Sequence, residues 1–150
     1  MSIAAAGDGV RMTLDELRGL ARRKLRAVGL SSDHADAVAE TMVAGERDGC
    51  TSHGIYRLLV AASSISRGVV VPDAVPVASE PAKGVVRVDG GGGFAQLAFE
   101  RGLPLLVQKA REPFLHVCMI ARPAECFGAP NDVGLQSRCY LAPIVEQCGT

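Results

Sequence analysis

Arg47-Asp48-Gly49-Cys50-Thr51-Ser52-His53-Gly54-Ile55-Tyr56-Arg57-Leu58 carries a hydroxyl, an imidazole and a guanidinium within six residues. The stretch reads as a turn, with Ser52 and His53 in it, running into the start of a helix. Arg57 follows His53 by four residues, a spacing that predicts a shared helical face. An acid/base imidazole and a fixed cation would then point into one small space. Such a pair suits a reaction on a small carboxylate substrate, in which one group moves a proton and the other holds the acid. Ser52 alone is also placed to cap the helix that follows.

Helices precede and follow this stretch. Thr13 and Glu16 form a capping box. From there Leu14, Leu17, Leu20, Ala21, Leu25 and Val28 recur at helical spacing, with Gly29 as the stop. Ser31 or Ser32 caps a second helix, with Asp33 and Asp36 near its positive end and Gly49 closing it. A third is expected from about Ile55 to Arg67, with Ile55, Leu58, Leu59, Ala62 and Ile65 inward and Gly68 after it. Residues 13–68 thus form a three-helix segment carrying the Ser-His-Gly-x-x-Arg pattern, preceded by a flexible residues 1–12.

After Gly68 the pattern changes. Val69 to Val71 is extended, and prolines at 72, 76 and 81 oppose helix. Gly84 to Gly90 reads as a strand between turns. Phe94 to Arg111 reads as a helix that Pro104 kinks or whose start it shifts. Phe114 to Ala121 reads as a buried strand. Strand, helix, strand over residues 69–121 predicts the first unit of a mixed α/β sheet. Four consecutive glycines, Gly90 to Gly93, lack the Gly-x-Gly-x-x-Gly and Gly-Lys-Ser/Thr patterns and read as a turn. Beyond Arg122 no period is sustained, so residues 122–150 read as a divergent, frame-shifted or truncated tail.

Composition narrows the functional classes. The 150 residues are 48% hydrophobic, and the 16 basic and 16 acidic residues cancel. Zero net charge and 4% aromatics argue against a nucleic-acid partner. Arg18, Arg22 and Arg26, with Arg23 and Lys24 beside them, read as a solvated basic face. No run of apolar residues suffices for a membrane span, and the N-terminus has no signal-peptide pattern. Five cysteines, odd in number and without metal-type spacing, point to a reduced, cytoplasmic protein without a metal site. His34, near a helix start, is expected to be exposed, and His116, inside an apolar strand, to be a core histidine.

The Asp48-to-Arg57 pattern, with Val86-Arg87-Val88-Asp89-Gly90 and Gly93-Phe94-Ala95-Gln96, resembles the malate/L-lactate dehydrogenase family of the non-Rossmann type. Within it the chain is most similar to the branch reducing cyclic imino acids, the Δ1-pyrroline-2-carboxylate/Δ1-piperideine-2-carboxylate reductases. The resemblance covers about Met12 to Ala121. It implies a malate/L-lactate dehydrogenase-like α/β fold, a nicotinamide cofactor (NADPH or NADH) and, at full length, a homodimer. It also implies His53 as proton donor, Ser52 as its hydrogen-bonded partner and Arg57 as the ligand of the substrate carboxylate. The reaction would be hydride transfer to C2 of a cyclic imino acid or a 2-oxo acid.

The family's cofactor-binding Asn-Ser-x-His-Phe-Gly/Ala segment falls on Ala121 to Ala129, where Phe127, Gly128 and Ala129 alone fit. The loss of that pattern motivates the truncation reading, and sequencing the DNA beyond this point tests it. Two alternatives stand beside the enzyme: an inactive remnant of such a reductase, and a helical interaction module built on residues 13–67. A βαβ unit lacking later strands would also leave an edge uncovered, which predicts marginal stability or association.

Overall fold

A computed structural model describes residues 10–111 and 118–122. Helix α1 spans Leu14–Ala27, opened by the capping box: the Thr13 side chain accepts from the Glu16 amide while the Glu16 carboxylate accepts from the Thr13 amide at 2.8 Å. That carboxylate is held below its ordinary range by the Thr13 backbone and hydroxyl bonds. Helix α2 spans Ser32–Arg47, with Ser31 as the cap and its hydroxyl accepting from the His34 amide. The chain leaves α1 and α2 through Gly29 at φ 101° and Gly49 at φ 72°, a backbone region that favours glycine.

Helix α3 is shorter than the periodicity predicts, Arg57–Ser66, because Thr51–His53 forms a separate 3-10 turn and no side chain caps α3. Ile55, Leu58 and Ile65 pack on the helical core as expected, and Ala61 is fully buried. Leu59 is the exception: it is 69% exposed, since the contact face passes through Leu58 and Ala61 instead. The core of the helical layer comprises Ala21, Leu25, Val38, Ala39, Met42 and Ala61, closed from the other side by Val70 and Phe94.

The arginine stripe of α1 is not a free solvated face. Arg18 and Arg22 meet Glu40 at 2.8 and 3.1 Å, and Arg22 and Arg26 each meet Asp36 at 3.1 Å. The acidic partners lie on α2, so the stripe is a partly exposed seam between two packed helices.

Strand β1, Val77–Ala82, lies in the stretch where the prolines oppose helix and no strand is expected, and it carries Pro81 within it. It is tolerated because β1 is the end strand in the order β1-β2-β3, and its register with β2 breaks between Ser79 and Ala82, around Pro81. Strand β2 is Val85–Asp89, helix α4 is Ala95–Ala110 with Pro104 inside it, and β3 is Cys118–Arg122. β2 and β3 pair in parallel across α4, giving the expected mixed α/β unit. Val86, Val88, Ala98 and Leu106 make its core, and Lys109 of α4 reaches Glu80 on β1 at 2.6 Å. Phe114 to Val117 of the expected strand, and the candidate cofactor residues Phe127, Gly128 and Ala129, lie outside the described residues.

His34 is a correction to the sequence reading. It is fully buried, not exposed. Its Nε2 donates to the Ala74 carbonyl at 2.9 Å, and its ring meets Phe94 edge-on. A β-carbon on Gly93 would stand 2.6 Å from that ring, so the glycine turn closes over it. The glycine run is therefore a packing turn: Gly91 donates to Asp89 Oδ1 at 3.0 Å and Gly93 to the Gly90 carbonyl at 2.9 Å. Those two amides are already bonded within the chain and do not form a phosphate cradle.

Candidate functional site

The Ser-His turn is built on the last turn of α2. The Cys50 amide donates to the Gly45 carbonyl at 2.7 Å, and the His53 amide to the Cys50 carbonyl at 2.8 Å. The His53 carbonyl then lies over Gly45, where a β-carbon would stand 2.7 Å from it. Only a glycine in this helix lets the turn approach so closely. The Ile55 amide donates to Glu46 Oε1 at 2.7 Å. Asp48, between the helix and the turn, is engaged by Arg47 at 2.7 Å, and that bond holds its carboxyl below the ordinary carboxylate range.

On this platform Ser52 Oγ and His53 Nδ1 are 3.0 Å apart. Arg57 Nε donates to the Ser52 carbonyl at 2.9 Å, which draws the guanidinium stem back over the turn. The structure thus brings together the three residues singled out in the sequence. It does so by a different route from the one expected, because His53 and Arg57 do not share a helix. His53 ends the 3-10 turn and Arg57 opens α3, and the main chain of Ser52 links them. Ser52 does not cap α3; its hydroxyl faces the imidazole. Ser52 and His53 are exposed on the described chain, and Arg57 is half-buried.

The hydrogen bond decides which imidazole nitrogen is available. With Nδ1 facing the serine, Nε2 is the second ring nitrogen, at which an imidazole can carry or release a proton. The Arg57 guanidinium has donors beyond Nε in the fork geometry that suits a carboxylate. Sequence reading missed Gly45 and Glu46. Both look like ordinary helix positions, and their role appears only when the turn folds back on α2. Among the described residues no cluster of His, Cys, Asp and Glu could hold a metal ion, and no helix is long and apolar enough to cross a membrane.

A search of protein families matches residues 12–129 to malate/L-lactate dehydrogenase. The Δ1-pyrroline-2-carboxylate/Δ1-piperideine-2-carboxylate reductase of Pseudomonas aeruginosa is 54% identical over 102 residues, covering 68% of this chain and 30% of that protein. The Δ1-pyrroline-2-carboxylate reductase 2 of Burkholderia multivorans is 44% identical over 115 residues, covering 77% of this chain and 34% of its own. The chain therefore spans about a third of the length of these relatives. Among solved structures, Δ1-piperideine-2-carboxylate reductase from Pseudomonas syringae superposes with a TM-score of 0.71 at 36% identity, over 76% of this chain and 34% of that one. Malate dehydrogenase from Entamoeba histolytica shares the fold, with a TM-score of 0.68 at 23% identity, over 77% of this chain and 32% of that one. The chain belongs to the malate/L-lactate dehydrogenase family.

Proposed function

We propose that the chain supplies the substrate side of an NAD(P)H-dependent reductase acting on a small cyclic imino acid or a 2-oxo acid. The observation that carries this reading is the Ser52 Oγ–His53 Nδ1 contact of 3.0 Å, with Arg57 bonded to the same turn. The two reductases and the solved imino-acid reductase support the substrate class.

The proton path follows from the contact. For His53 to act as an acid its ring must be protonated, so Nδ1–H donates to Ser52 Oγ and Nε2–H faces the substrate. When Nε2 gives up its proton, Nδ1–H stays on the serine, and the ring is left neutral in one tautomer. Arg57 binds the carboxylate through its guanidinium fork, holding C2 at a fixed distance from the imidazole. The nicotinamide, NADPH or NADH, supplies the hydride when bound. The glycine run does not fit it, and Phe127 to Ala129 lie outside the described residues, so no step is assigned to a residue that holds it. Assembly as a homodimer and residence in the cytoplasm belong to the same proposal, the first on the family resemblance and the second on cysteine usage.

Arg57→Lys tests the carboxylate role. A lysine keeps the charge but loses the fork, so KM for Δ1-piperideine-2-carboxylate should rise about tenfold or more with a smaller change in kcat. An unchanged KM would remove Arg57 from substrate binding.

A further inference from the structure

Nothing in the sequence pattern or in the family match singles out Glu46. Its side chain makes two contacts with the segment that carries His53. Oε1 accepts the Ile55 amide at 2.7 Å. Gly54 lies flat against the same side chain, so close that a β-carbon on Gly54 would fall 2.8 Å from Glu46 Cγ. Gly54 and Ile55 are the two residues directly after His53. Glu46 follows Gly45, which carries the His53 carbonyl from below.

We infer that Glu46 is a positioning residue: its carboxylate fixes the main chain after His53 and thereby sets the direction in which the imidazole presents Nε2. This rests on the assignment of His53 as proton donor. The physical argument concerns leverage. The turn has no side-chain cap at either end. Its path is held by main-chain bonds to Gly45 and Cys50 on the entry side. On the exit side the bond from Glu46 to Ile55 is the side-chain tie to α2. Gly54 keeps its own main-chain bonds, donating to the Thr51 carbonyl at 3.3 Å and accepting from the Arg57 amide at 3.0 Å. Without the Glu46 tie, however, this short arch loses its side-chain anchor to α2, and the His53 ring it carries loses the orientation that holds Nδ1 against Ser52. An amide oxygen serves as an acceptor in the same place, so acceptor position matters and charge does not.

The test compares Glu46→Gln, Glu46→Asp and Glu46→Ala in the full chain, with two readouts. The first is the nitrogen NMR signature of the His53 ring, assigned against His53→Ala, which reports whether one tautomer dominates. The second is turnover of Δ1-piperideine-2-carboxylate with NADPH. E46A and E46D, which remove or withdraw the acceptor, should convert a single-tautomer signature into an averaged one and lower kcat about tenfold or more with little change in KM. E46Q should recover most of that loss and keep the wild-type signature. If E46A does not fold, the E46D and E46Q pair decides. A wild-type signature in both E46A and E46D, or an E46Q as impaired as E46A, overturns the inference. If the wild-type chain lacks turnover, the reductase reading fails by itself, and the ring signature still decides the role of Glu46.

Discussion

The carbonyl of His53 lies on Gly45, with space for a hydrogen there and none for a methyl group. Gly45→Ala therefore has two opposed effects. Alanine favours the helix by about 1 kcal/mol, while the overlap forces backbone shifts that cost about 1–3 kcal/mol. The expected outcome is a loss of up to about 2 kcal/mol in urea unfolding, together with displacement of the His53 amide resonance. A stabilised variant with an unmoved His53 amide would show that the turn does not rest on α2.

His34 gives the chain a pH dependence of stability with a definite sign. Burial favours the neutral ring and lowers its pKa below the usual histidine value, although the Ala74 bond and the carboxylates of Asp33 and Asp73 pull the other way. Arg101 from α4 pairs with Asp33 at 3.0 Å and tempers that pull. The unfolded chain binds the proton more readily, so the contribution of His34 is fully present above about pH 6.5 and is lost as pH falls from there through the folded value. Urea midpoints measured at pH 7.5 and 5.5 should fall less in His34→Gln than in the wild type. Equal falls would place the titration elsewhere.

Thr13 caps α1 with both halves of the box formed. Thr13→Ala should cost about 1 kcal/mol in unfolding free energy. Because the Glu16 pKa is lowered, the capped helix should also lose stability as pH drops below the ordinary glutamate range, and Glu16→Gln should flatten that part of the profile. An acid profile identical in the wild type and Glu16→Gln would contradict the box.

The arginine seam bears on whether α1 could serve as a nucleic-acid surface. Arg18, Arg22 and Arg26 are engaged by Asp36 and Glu40 in partly exposed pairs, which contribute little each and are weakened by salt. Raising salt should lower the melting temperature slightly, and Asp36→Asn with Glu40→Gln should remove that dependence. The neutralised stripe should show no salt-dependent binding to duplex DNA. A steep salt slope with DNA would revive the interaction-module reading.

The local signals in the sequence carried most of the helical layer. Thr13 with Glu16 marks the start of α1, and Gly29 and Gly49 mark the ends of α1 and α2, because caps and stops depend on neighbours a few residues away. Val85 to Val88 and the helix after Phe94 were legible for the same reason. What escaped the sequence depends on contacts distant along the chain. His34 is covered by Ala74 and Gly93, which no local pattern links to it. β1 was hidden by Pro81 within it, which an end strand with broken register accommodates. Ser52, His53 and Arg57 were found by residue type, but the helical face drawn through them was not the real connection. Gly45 and Glu46, which hold the turn in place, carry no signal of their own.

Turnover of Δ1-piperideine-2-carboxylate with NADPH, compared between the wild-type chain and His53→Ala with pyruvate in parallel, tests the proton-donor assignment most directly. Wild-type NADPH oxidation with the imino acid, reduced about 10²–10⁴-fold in kcat by His53→Ala, is the expected result for a lost general acid. Equal oxidation by both chains, or none by the wild type, would contradict the reading of Ser52, His53 and Arg57 as a reductase site.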